Sequence, residues 1–98
     1  MLLEQRSVSR KTPLDGKLEI SPEAAARLAA IGAEFPLASA GRAGRGRLES
    51  LACTCAKGTG ASHVHHFVES PLLRALAPGA EVRVEFDEDR GAVRIEAA

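Results

Sequence analysis

The stretch Val68-Glu-Ser-Pro-Leu-Leu-Arg-Ala-Leu-Ala-Pro-Gly-Ala-Glu-Val-Arg-Val-Glu-Phe-Asp87 decides the fold. From Glu81 to Phe86 charged and apolar residues alternate, the period of a strand with one buried face. Ser70-Pro71 is helix-start chemistry, since a serine side chain accepts from a first-turn N–H and proline tolerates the first helical position. We therefore expect a helix through Leu72, Leu73 and Leu76, stopped by Pro78-Gly79 and followed by a strand. Asp87 to Gly91 should turn, and Ala92-Val-Arg-Ile-Glu96 should pair back. A further strand, His63 to Glu69, leads into the helix.

Upstream the same order is expected. Lys17-Leu-Glu-Ile20 alternates like a short strand, and Ser21-Pro22-Glu23 starts a helix that should reach about Ile31, with Gly32 ending it in a left-handed conformation. Glu34-Phe-Pro-Leu37 reads as an edge-like strand because Pro36 cannot donate to a ladder. Gly41-Arg-Ala-Gly-Arg-Gly46 reads as a flexible turn solubilised by arginine, and a longer strand runs from Arg47 to Cys55. Ser21-Pro22 recurs as Ser70-Pro71, 49 residues on, and Gly32-Ala-Glu34 recurs as Gly79-Ala-Glu81, 47 residues on. Two such strand–helix–hairpin units, about residues 14–50 and 64–98, are each too small to close a core and should pack on one another about a pseudo-twofold axis. The alternative is that these short matches are common punctuation in an alanine-rich chain. Residues 1–13 show no sustained period and read as a mobile or edge-strand lead-in to a single domain, 14–98.

Leu14-Asp-Gly-Lys-Leu-Glu-Ile-Ser-Pro-Glu23 with Ala26-Arg-Leu28, together with the opening stretch, resembles the strand, Pro, short helix, Pro-Gly and hairpin unit of the AbrB/MazE/MraZ swapped-hairpin (cradle-loop barrel) proteins. The resemblance covers roughly half the chain. It implies an α+β fold: a small β-rich, barrel-like domain with two short helices. It also implies a DNA-binding transcriptional regulator acting as a dimer or higher oligomer. The chain departs from the pattern in its acidic second unit and in a Cys/His insertion between the units.

The 98 residues permit one compact domain, and 45% hydrophobic with 27% charged residues excludes a disordered tail. Three Phe, no Trp and no Tyr stand against eighteen Ala, so the core must be built from small aliphatics and is a candidate for a metal staple or a second subunit. No apolar run approaches the roughly 18 residues of a membrane span, and the N-terminus lacks the apolar core of a secretory signal, so a cytoplasmic protein is expected. The net charge of zero divides into +3 over residues 1–57 and −3 over 58–98, which would let opposite halves attract within the fold or across a homodimer.

Chemistry concentrates in Cys53-Thr-Cys55 and His63-Val-His65-His66. A reducing cytosol disfavours a disulfide, and one intervening residue would strain it. On strands, residues two apart share a face. If the strands form a hairpin pairing Cys55 with His63, Cys53 lies opposite His65 and all four side chains project to one side, with β-carbons about 5 Å apart across the pair. Two thiolates and two imidazoles suit zinc, with iron or Cu(I) as alternatives. A closed four-ligand site is structural, because zinc catalysis keeps a position for water. His66 falls on the opposite face beside Val64 and Val68. It is expected to be a satisfied core residue and is the alternate ligand. The competing readings are two buried cysteines with ordinary histidines, or a thiol redox sensor.

Arg42, Arg45 and Arg47 form the second candidate, an anion or nucleic-acid contact. The stretch lacks the Lys and Ser/Thr of a phosphate-cradling loop, and no Tyr or Trp is present to stack bases. The sequence thus favours a non-enzymatic, metal-binding domain with a structural or interaction role toward a protein partner. DNA binding is the second reading and redox sensing the third.

Overall fold

The computed structural model describes residues 1–53 and 63–98, and for Cys53 and His63 the backbone alone. The elements are β1 (Leu2–Ser7), α1 (Thr12–Asp15), β2 (Lys17–Ile20), α2 (Pro22–Ala29), β3 (Glu34–Ser39), β4 (Arg42–Cys53), β5 (His63–Glu69), a 3-10 helix (Pro71–Ala75), β6 (Glu81–Asp87) and β7 (Ala92–Ala97). All the strands belong to one sheet, ordered β1-β6-β7-β3-β4-β5-β2, curled into a nearly closed barrel with β1 and β2 as its free edges. Neighbours run antiparallel except β3 and β7, which are parallel. The fold is a small β-rich α+β domain.

Alternation builds the core. Val82 and Val84 of β6, Val93 and Ile95 of β7, Phe35 and Leu37 of β3, Leu18 and Ile20 of β2, and Val68 of β5 all point inward and are buried. α2 starts where capping chemistry places it: Ser21 Oγ accepts from Ala24 N at 3.1 Å, and Pro22 occupies the first turn. Its Ala24, Ala25 and Leu28 are buried against the strands, and Leu73 joins them from the 3-10 helix. Ile31, Leu72 and Leu76 pack around the margin, so the leucines and isoleucine of the two segments share one core. Phe35 is fully buried, whereas Phe67 and Phe86 are half-buried.

The element order strand, helix, strand, turn, strand occurs once from β2 and again from β5. The opening strands of the two runs pair with each other, Lys17 with Glu69 and Ile20 with His66. With Ser21 set on Ser70, this pairing is self-symmetric, because Lys17 then corresponds to His66 and Ile20 to Glu69. The β3–β7 and β4–β5 pairings have no symmetric counterparts in the strand order.

Several expectations need correction. Pro71–Ala75 is a 3-10 helix that stops short of the expected Leu76, whose backbone is already extended at ψ 139°. α2 ends at Ala29 with Ala30 as a right-handed cap, two residues short of the expected end. The Gly/Arg stretch is strand rather than turn: Arg42 to Arg47 pairs with β3, and the reversal is confined to Ala40 and Gly41, at φ 52° and 76°. Positive φ at both central residues is the geometry of a tight two-residue hairpin. Gly44 and Gly46 lie within the strand because side chains occupy their space; a Cβ on Gly46 would sit 2.8 Å from Phe35 Cε1. Of the two readings of the lead-in, residues 2–7 take the edge-strand one, pairing with β6. α1 was not expected; it is a single turn opened by Pro13 and closed by Gly16.

Candidate functional site

β4 and β5 pair from Arg47↔Glu69 to Cys53↔His63, and beyond Ser50↔His66 they run as a two-stranded arm past the end of β2. Cys53 is thus the register partner of His63, and Leu51 that of His65. The expected register set Cys53 opposite His65 and is two residues out. Cys55, expected opposite His63, lies outside the described residues. A two-residue slip leaves every side chain on its face, so alternation alone cannot exclude it. Charge does: the expected register would oppose Glu49 to Glu69, whereas the observed one opposes Arg47 to Glu69.

An ion cluster pins this register. Lys17 Nζ lies 3.2 Å from Glu49 Oε1 and 3.9 Å from Glu69 Oε2, while Arg47 binds Glu69 and lies 4.0 Å from Glu49 Oε2. Lys17 comes from β2 on one side of β5 and Arg47 from β4 on the other, so the cluster ties three strands together at the base of the arm.

His65 and His66 point to opposite faces, as their parity requires. His66 Nδ1 lies 2.8 Å from Ser50 Oγ, its cross-strand neighbour, and the ring is half-buried, so it is a hydrogen-bonded side chain on the face of Val64 and Val68. His65 Nδ1 lies 2.9 Å from Glu19 Oε2 on β2. A carboxylate can only accept, so Nδ1 carries the hydrogen and the lone pair of the neutral ring is on Nε2. The Phe67 ring stands 6.4 Å away, tilted by 38°. These groups, with Leu51, Lys17 and the Ser9–Lys11 connection, line a groove of about 470 Å³. Among the described residues no three Cys, His, Asp or Glu side chains gather into a metal cage.

The three arginines do not act together. Arg45 and Arg47 share the outer face of β4, while Arg42 has the parity of Gly44 and Gly46, which face Leu72 and Phe35. Arg47 is engaged by Glu69. Arg45 instead borders a second groove, of about 340 Å³, whose far wall includes Arg74 of the 3-10 helix. Sequence reasoning missed Glu19 and Ser50 as partners of the two histidines, because each depends on a pairing between separate segments of the chain.

Among the described residues no helix is long and apolar enough to cross a membrane. Comparison with protein families, with characterised proteins and with solved structures finds no match to this chain.

Proposed function

We propose that this chain is a small metal-binding domain in which Cys53, Cys55, His63 and His65 hold one zinc ion as a structural clip on the β4–β5 hairpin. The observation that carries the reading is the 2.9 Å contact between Glu19 Oε2 and His65 Nδ1. Histidines that bind metals commonly donate their other ring N–H to a carboxylate, which fixes the tautomer and makes the ligating nitrogen more basic. Two further points support it. Cys53 and His63 are register partners at the end of the arm, a spacing of about 5 Å between β-carbons that one ion bridges with bonds of 2.0–2.3 Å. The arm is two-stranded beyond β2, and Leu51 and Val64 on it are about half exposed, 45% and 49%. A lone two-stranded ribbon is marginal in water, so a cross-link at its end has a physical task.

Four protein ligands leave no position for water, so the ion stabilises the arm and does no chemistry. Thiolate ligands also admit iron or Cu(I). Cobalt(II) added to the metal-free chain tests the ligand set. Thiolate-to-cobalt charge transfer with tetrahedral visible bands is expected, reduced by Cys53→Ser and by Cys55→Ser. A spectrum that neither substitution changes would contradict it.

A further inference from the structure

We draw no further inference here: the strongest candidate, the groove of about 470 Å³ beside His65 and Glu19, belongs to the site already described, and its Lys11 and Lys17 are matched by Asp15 and Glu19, so its charges select no ligand.

Discussion

Glu4 on β1 accepts the backbone N–H of Ser21, at 3.1 and 3.3 Å from its two carboxylate oxygens, and so joins the two edge strands that no backbone ladder connects. Arg6 holds the same carboxylate at 3.0 Å. The barrel is closed at this seam by a side chain and not by strand pairing. Ser21 is also the cap of α2, so one residue ends β2, starts the helix and receives the clasp.

Removing the clasp should be felt globally. Glu4→Ala leaves the Ser21 N–H without its acceptor, and about 1–2 kcal/mol of stability should be lost. For a domain of this size that lowers Tm by roughly 4–8 °C per kcal/mol. Thermal unfolding followed by circular dichroism checks it, and an unchanged Tm would show that the seam is held by other contacts.

Gly46 tests how tightly the aromatic-poor core is assembled. A methyl group there meets Phe35 Cε1 at 2.8 Å and Leu37 Cδ2 at 3.3 Å, both belonging to buried side chains. Gly46→Ala should cost about 1–3 kcal/mol by overpacking. In a Phe35→Leu background, where that ring is gone, the same substitution should cost less. Urea midpoints of the four proteins give the coupling directly, and a fully additive pair would contradict the contact.

Much of this fold is legible in the sequence, for identifiable reasons. The strands of the Glu81–Asp87 and Ala92–Ala97 hairpin carry their alternation openly, and Ser21-Pro22 declares the start of α2 through capping chemistry. β1 is not legible by pattern, because it joins β6 mainly through backbone hydrogen bonds and its burial does not alternate cleanly. The first half of β4 misleads: Gly44 and Gly46 look like turn residues but mark where Leu72 and Phe35 approach the backbone. The two-residue error in the β4–β5 register arose because parity is blind to even slips. The Arg47–Glu69 pair was available in the sequence to resolve it.

The role assigned to Glu19 separates a metal site from a surface ion pair. Its removal in Glu19→Ala should weaken metal affinity about 10- to 100-fold in competition with a chelator, since the carboxylate orients His65. Stability of the metal-free chain should change by no more than about 0.5 kcal/mol, because both side chains are partly exposed, at 48% and 33%. Equal metal affinity in variant and parent would reduce the contact to a surface pair.

The central claim is the zinc clip, and elemental analysis of the untagged chain, purified without chelators, tests it most directly. The account predicts about one zinc ion per chain, lost on joint replacement of Cys53 and Cys55 by serine, with Tm falling as the metal leaves. A metal-free protein that neither takes up zinc when it is offered nor gains stability from it would contradict the account.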